Sequence, residues 1–494
     1  MSELSPEICD RIDALFREAV SSHATSGLAY GVVGADGSLL HSGGAGHSHL
    51  AAGEPEAAAF VPGKDSISRI ASMSKSFIAA SILKLRDEGR LRLDDPVANY
   101  LPEVGTLALP SEDSPALTLR LLLTMSAGLV TDNPWGDRQE AMTAKAFREM
   151  IAGGLGFMSV PGTAFEYSNA SYVMLGQVIG EVAGIGYEDY VRENFLRPLG
   201  MRDTDYDRAG LDPERIVTGH RLNEREDALR FEPVEFDSPG VYGAMAGLYS
   251  TVADVSRWVR FLSSANAATS EHEDAGYAKL LSRASRREMQ QGYRLQRTPV
   301  NREGQFDRLR AYGMGLVVEE FPLLGGVISH SGGYPGFGSF MCWHRDSGIG
   351  VIVLANSKYA PAPKLSYEVL EVLRQEGQLR GSAGLPLAEG TKRGMAAAIA
   401  YLRSGDAAVA DEWFSDNMDL DVSREERMRR RAVAEERTGV SLDGEWPEPT
   451  VLTPFEVRWD FPRVADKPGL RVHLLMDPRV QPLMQSLTLI TLTD

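Results

Sequence analysis

Ser72 and Lys75 are the residues whose types and spacing most directly suggest chemistry. From Ile70 to Leu83 the only charged side chain is Lys75, set among Ile, Ala, Met, Phe and small hydroxyl residues. Such a run predicts a helix that is apolar on most sides and ends near Glu88-Gly89, and helices of that kind sit inside proteins. Residues three apart on a helix share a face, so Ser72 falls beside the lysine. Apolar surroundings disfavour the ammonium form and lower the pKa toward the range where a neutral amine accepts a proton. A hydroxyl next to such an amine is an activated nucleophile. Ser81 and Lys84 repeat the spacing, but Ser81 lies nine residues beyond Ser72 and so on the opposite helix face. Lys84 opens the charged run Lys84, Arg86, Asp87, Glu88 and reads as solvated.

Tyr167-Ser168-Asn169 follows the turn Pro161-Gly162-Thr163 and precedes a helix predicted from Tyr172; Tyr-x-Asn occurs once among sixteen tyrosines. A tyrosine can relay a proton, and an asparagine can bind an amine and a substrate carbonyl together. The structural alternative is a core tyrosine and a helix cap. The third stretch is Ser329-His330-Ser331-Gly332-Gly333-Tyr334-Pro335-Gly336, at the end of a predicted strand. Glycines there let a ligand or another backbone come close, and the N–H of Gly333 can join that of Ser72 as an oxyanion hole. A plain Gly-rich hairpin turn is the alternative.

Ser-x-x-Lys, Tyr-x-Asn and His-x-Gly in this order resemble the serine β-lactamase and penicillin-binding-protein superfamily, chiefly its class C-like branch. The first two motifs are 95 residues apart and the last two 163, spacings similar to those of the family. Leu121 to Leu129 and Ala246 to Thr251 are similar to its connecting segments, and the resemblance covers roughly residues 8–376. It implies Ser72 as nucleophile and acyl carrier, with Lys75 and Tyr167 sharing the general-base and general-acid work. It further implies Asn169 as the group orienting Lys75 and the substrate amide, and His330, Ser331, Gly332 and Gly333 as substrate-binding and oxyanion-hole residues. In β-lactamases and carboxypeptidases the third motif usually begins with lysine, a permanent cation for a substrate carboxylate. Here it begins with His330, mostly neutral near pH 7. Members with histidine include D-aminopeptidases and esterase-like enzymes, which shifts weight toward small esters and amides.

The elements that must position these residues are legible in outline. Residues 6–21 have helical spacing after a Ser5-Pro6 start, and 27–33 and 38–41 read as strands around an Ala35-Asp36-Gly37 turn. Residues 120–250 read as mainly helical, with 172–179 and 252–262 as examples. Short apolar runs at 313–319, 325–329, 338–343 and 349–355 predict an antiparallel meander, followed by a closing helix at 364–376. The fold class expected is α+β, an antiparallel sheet flanked by helices with a helical subdomain over residues 1–376. A linker over 377–387 and a small C-terminal α+β domain over 388–494 are expected beyond it. In that domain 395–402 and 425–436 read as helices and 455–461 and 470–476 as strands. The charged run 424–437 reads as a solvated helix face.

A formal charge of -17 argues against nucleic acid as the main partner. Cys9 and Cys342 are far apart in sequence, and no Gly-x-Ser-x-Gly or phosphate-cradling loop occurs. His41, His47 and His49 lack a nearby carboxylate or cysteine in sequence, so neither a metal nor another cofactor is expected. Asn133 to Arg138 is a candidate pocket wall or a surface loop. The N-terminus has no secretory pattern and no apolar run is of membrane-spanning length, which predicts a cytoplasmic protein without a membrane partner. A homo-oligomer is compatible with all of this. The expected activity is a serine hydrolase acting through an acyl-enzyme on a small-molecule ester or amide, as esterase or D-aminopeptidase-type amidase. The alternatives are an acyltransferase or transpeptidase, a β-lactamase or carboxypeptidase, and a non-catalytic binding protein.

Overall fold

The computed structural model describes residues 4–50, 60–223, 231–235, 240–267, 270–296, 308–358, 360–379 and 386–492. The chain forms two compact units, Met1–Arg380 and Gly381–Asp494. Residues 380–385 of the expected linker lie outside the described residues.

The first unit is built on an eight-stranded antiparallel sheet. Its strands are β1 (Gly27–Val33), β2 (Leu39–Gly46), β3 (Arg294–Leu295), β4 (Leu309–Tyr312), β5 (Val317–Phe321), β6 (Gly325–Tyr334), β7 (Phe337–His344) and β8 (Gly350–Ala355). They lie in the order β2-β1-β8-β7-β6-β5-β4-β3. The first hairpin of the chain and its late strands thus share one sheet, with β1 paired to β8 from Leu28↔Ala355 to Val33↔Gly350. Strands β1, β7 and β8 are buried along their whole length, as expected where both faces are covered.

Five helices explain the cover. Helix α1 (Pro6–Ser21) starts with the Ser5 side chain accepting from the Ile8 N–H, and presents Ile8, Ile12 and Phe16 to the sheet. With α5 (Ala362–Gln375) it closes one face over Val327, Phe340, Val351 and Val353. On the opposite face α4 (Val252–Ser263) packs on β1, β7 and β8, while α2 (Lys75–Asp87) and α3 (Asn169–Ala183) pack on each other and share the same core, which includes Ile78, Ile82, Val173 and Trp258. Trp258 stacks on Phe77 with ring centroids 3.8 Å apart, and its indole N–H donates to the Ser76 hydroxyl at 2.9 Å. This pins α4 to the start of α2.

Two expectations change. The predicted helix from Ile70 is a short strand, Ser68–Arg69, then a 3-10 turn over Ala71–Ser74, and only then α2. Ala71 has φ of 49°, a left-handed conformation rare for a residue with a Cβ, so the chain bends sharply just before Ser72. The apolar run 313–319 is not one strand: residues 313–316 form the turn between β4 and β5, and 317–319 begin β5. Gly315, at φ of 70°, makes that turn; a Cβ there would lie 2.9 Å from the Lys75 carbonyl oxygen, so the turn rests on the first residue of α2.

In the second unit, helices Glu389–Ser404, Ala407–Trp413, Asp416–Asp421 and Arg424–Thr438 accompany a four-stranded antiparallel sheet. Its strands Thr450–Thr453, Glu456–Phe461, Gly469–Met476 and Met484–Leu492 follow in sequence order. Trp459, Tyr401, Leu470 and Leu474 are central to its core. The charged run 424–437 is helical, but Arg427 and Arg431 are buried, so it is not simply a solvated face. Among the described residues no helix is long and apolar enough to cross a membrane.

Candidate active site

Lys75 is fully buried at the first turn of α2, and its amine has three partners. Ser72 Oγ lies 2.9 Å from Nζ, Asn169 Oδ1 2.8 Å and the Met245 carbonyl oxygen 2.9 Å. Two of these, the amide oxygen and the carbonyl, can only accept. In the neutral amine they take both N–H groups, which leaves the lone pair facing the Ser72 hydroxyl. Burial lowers the Lys75 pKa to about 7 against the opposing fields of Asp132 and Asp137. The unprotonated amine is thus well populated near neutral pH.

Asn169 opens α3, whose cap is Ser168 rather than Asn169 itself. The Asp132 carboxylate sits at that helix start, accepting from the Asn169 N–H at 2.6 Å and the Ala170 N–H at 3.1 Å. The Asn169 amide nitrogen donates to Asn133 Oδ1 at 2.9 Å, which directs its oxygen to Lys75. Asp132 therefore fixes Asn169 and adds negative potential at Lys75. Asp132→Asn is expected to move the acid limb of the pH–rate profile downward, because losing that charge disfavours the protonated lysine. A cost of about 1 kcal/mol in stability should accompany it through the weakened helix start. A pH–rate profile and a melt check both.

Tyr167 is held by the segment 121–129: the Glu166 N–H donates to the Met125 carbonyl at 2.9 Å, and Tyr172 OH to the Leu123 carbonyl at 2.8 Å. Lys75 Nζ lies 5.0 Å from the Tyr167 ring centroid. Burial pushes the Tyr167 pKa far up despite a hydrogen bond with Ser72, so the phenol stays protonated and can donate. The other connecting segment, 246–251, ties down the nucleophile turn. The Ile70 N–H donates to the Leu248 carbonyl at 3.0 Å, and the Leu248 N–H to Ser74 Oγ at 3.2 Å.

Strand β6 carries the third motif past the same turn. A Cβ on Gly332 would lie 2.1 Å from Ser339 Oγ and 2.3 Å from the Ile70 carbonyl oxygen, so only glycine lets β6 lie this close. Ser339 Oγ donates to that carbonyl at 2.8 Å. Gly332→Ala must push β6 away from Ser72. A loss of about a hundredfold in kcat/KM and about 1–3 kcal/mol in stability is expected, read by steady-state kinetics and a melt. No described residue stands within 4 Å of a Cβ built on the adjacent Gly333, which faces the cavity.

His330 is buried and neutral. Its Nδ1–H donates to the Ser331 carbonyl at 2.7 Å, which leaves Nε2 to accept from Tyr312 OH at 3.1 Å. Burial, then the nearby Lys75, push its pKa down to about 3. Beside it a buried Arg69–Glu140 ion pair holds the end of β6, with Tyr334 OH donating to Glu140 Oε2 at 2.7 Å.

These groups surround a cavity of about 500 Å³ lined by Ser72, Tyr167, Tyr312, His330, Ser331 and Gly333, together with Asn133, Pro134, Phe165 and Val317. Lys75, Asn169 and Gly332 stand behind its wall. Of the candidate wall 133–138, Asn133, Pro134 and Asp137 line it; Trp135 and Arg138 do not. Arg310, Lys358 and Gln296 add polar groups to the rim, and Lys358 Nζ pairs with Asp137 at 3.2 Å. Tyr312, Asp132 and Met245 were not singled out from sequence. Asp132 adjoins the suspected wall, but Tyr312 and the Met245 carbonyl carry no local signal. Ser81 instead donates to the Phe77 carbonyl, and Lys84 pairs with Glu88. Of the three histidines at 41, 47 and 49, His41 pairs with Asp13.

A family model for β-lactamase matches residues 12–374. The chain belongs to the β-lactamase family. Penicillin-binding protein 4* of Bacillus subtilis (strain 168) is 26% identical over 308 residues, 60% of this chain and 61% of that protein. The D-alanyl-D-alanine-carboxypeptidase/endopeptidase AmpH of Escherichia coli (strain K12) is 27% identical over 303 residues, 59% of this chain and 71% of that one. The chain thus spans about three fifths of the Bacillus relative's length. Two solved structures share the fold. The octameric penicillin-binding protein homologue from Pyrococcus abyssi has a TM-score of 0.59 at 20% identity, over 97% of this chain and 99% of its own. A D-stereospecific amidohydrolase from Streptomyces sp. has a TM-score of 0.54 at 22% identity, over 76% and 99%.

Proposed function

We propose that the chain is a serine hydrolase that cleaves a small ester or amide through an acyl-enzyme on Ser72. The observation that carries this reading is the Lys75 amine, whose two N–H groups are taken by acceptors while its lone pair faces Ser72 Oγ at 2.9 Å. Lys75 removes the Ser72 proton as Oγ bonds to the substrate carbonyl carbon. The N–H groups of Ser72 and Gly333 hold the resulting oxyanion. Tyr167, kept protonated by burial, gives its proton to the leaving oxygen or nitrogen as that bond breaks, and the Lys75 proton restores the phenol. Water then attacks the acyl-Ser72 carbonyl and loses a proton to Lys75, which returns it to Ser72 Oγ as the bond from that oxygen to the acyl carbon breaks and the acid leaves.

The neutral His330 bears on substrate choice. A carboxylate would find no charge at His330 itself, and the two cations that line the same cavity, Arg310 and Lys358, are already paired with Glu319 and Asp137, whereas an uncharged ester or amide needs no such partner. A panel of p-nitrophenyl esters, D- and L-aminoacyl anilides and a chromogenic β-lactam tests this. Neutral esters or anilides are expected to exceed the β-lactam, which bears a carboxylate, by about tenfold or more in kcat/KM. A β-lactam preference would overturn the substrate assignment.

A further inference from the structure

The second unit contains a pocket of its own, about 340 Å³ in volume, between the helix Arg424–Thr438 and the strand Met484–Leu492. That is at the lower end of the range for small-ligand sites, roughly 300–1,000 Å³. Its two kinds of lining are distinct. Leu402, Val433, Ala434, Leu487 and Leu489 supply apolar surface. Arg427, Arg429, Arg430 and Arg437 supply charge, and among the described residues no carboxylate lines it. Arg427, Arg430, Ala434 and Arg437 fall at i, i+3, i+7 and i+10, which is one stripe of the helix.

The arginines differ in how their charge is met. Neighbouring Arg424 pairs with Asp411 and Asp419, and Arg431 with Glu435 and Asp443. Arg429 and Arg430 share one carboxylate, Glu426. Arg437 has no carboxylate partner among the described residues. Arg427 is only 8% exposed, and it too meets no carboxylate there. Its Nη atoms donate to the carbonyls of Met418, Val422 and Leu487, its Cζ lies 5.4 Å from the Phe414 ring centroid, and its Nε has no hydrogen-bond partner among the described residues. A buried guanidinium without an anion is costly, and an anion bound beside it offsets that cost. The apolar floor next to the charge selects an anion with a hydrophobic body over a fully hydrated one.

We infer that this pocket binds an organic carboxylate with an apolar body, either a free aliphatic acid or the carboxyl end of an apolar peptide. Arg430 and Arg437 meet the carboxylate at the mouth, where guanidinium forks bond it through charge-assisted hydrogen bonds. The field of Arg427 reinforces them from below, and the body of the ligand lies on Leu402, Leu487 and Leu489. The inference is independent of the hydrolase reading, since every lining residue belongs to the second unit.

Melting of the full chain tests it, with decanoate and acetyl-Leu-Leu as free acids, decanol and acetyl-Leu-Leu-amide as their uncharged counterparts, and sulfate as a hydrated anion. At least one of the two acids should raise Tm in a saturable way, its uncharged counterpart and sulfate much less. Decanoate alone doing so assigns an aliphatic acid, and the peptide acid alone a peptide C terminus. The Arg430→Gln/Arg437→Gln double variant changes only exposed side chains and keeps the hydrolase cavity; it should bind at least about tenfold more weakly. No shift with either acid, an equal shift with the uncharged compounds or sulfate, or undiminished binding by the double variant would overturn the inference.

Discussion

Replacing Ser72 with alanine is expected to lower turnover by about a thousandfold to a millionfold, the range seen when a nucleophile acting as part of a unit is removed. The fold should survive. Ser72 Oγ accounts for one contact to Lys75, while the turn around it is held by Ile70, Leu248, Ser74 and Ser339, none of which the substitution touches. The melt should therefore move little while activity on any substrate that wild type turns over collapses. A variant with wild-type rates would mean that another group attacks the substrate.

Lys75→Met should cost a comparable factor in turnover, and it carries a second signature. In the folded chain the Lys75 pKa falls from 10.5 to about 7, so the unfolded chain holds that proton more tightly. Between about 7 and 10.5 the unfolded state binds more protons, and the lysine's contribution to stability rises with pH across that window. Below it the full desolvation cost is present. Methionine has no such term but leaves Asn169 Oδ1 and the Met245 carbonyl without their donor, a cost of about 1–3 kcal/mol that does not depend on pH. The variant's stability relative to wild type should therefore be greatest near pH 6 and fall steadily toward pH 10. Melts of both proteins across that range give the slope. In the same interval wild-type kcat/KM should rise through about 7 as the amine loses its proton. A pH-independent stability difference would contradict the buried, depressed lysine.

How far the sequence could be read depended on what each residue reports locally. Ser72, Lys75, Tyr167 and Asn169 stand out by type and spacing, and the sheet and its flanking helices follow from apolar periodicity. The bend at Ala71 does not, because its left-handed φ is imposed by the strand that precedes it and by the packing of β6. An alanine among apolar neighbours looks like any helical residue. Asp132 was equally silent: its role comes from meeting a helix start 37 residues away. Tyr312 and the Met245 carbonyl enter the site through tertiary packing, one from the sheet and one from the helical side. The neutral state of His330 was only half legible. Sequence gives a group that can be charged, whereas full burial beside an amine decides that it is not. In the second unit, six arginines and four glutamates over residues 424–437 read as an ordinary charged helix, and only the fold separates the arginines that meet a carboxylate from those that do not.

The central claim is the covalent step at Ser72. Intact-protein mass spectrometry after rapid mixing with an activated ester such as p-nitrophenyl acetate, followed by peptide mapping, tests it most directly. The account predicts a single transient acyl adduct on the peptide containing Ser72, lost over time in buffer and absent from Ser72→Ala. Hydrolysis of that ester without any adduct at Ser72, or an adduct that persists in Ser72→Ala, would contradict it.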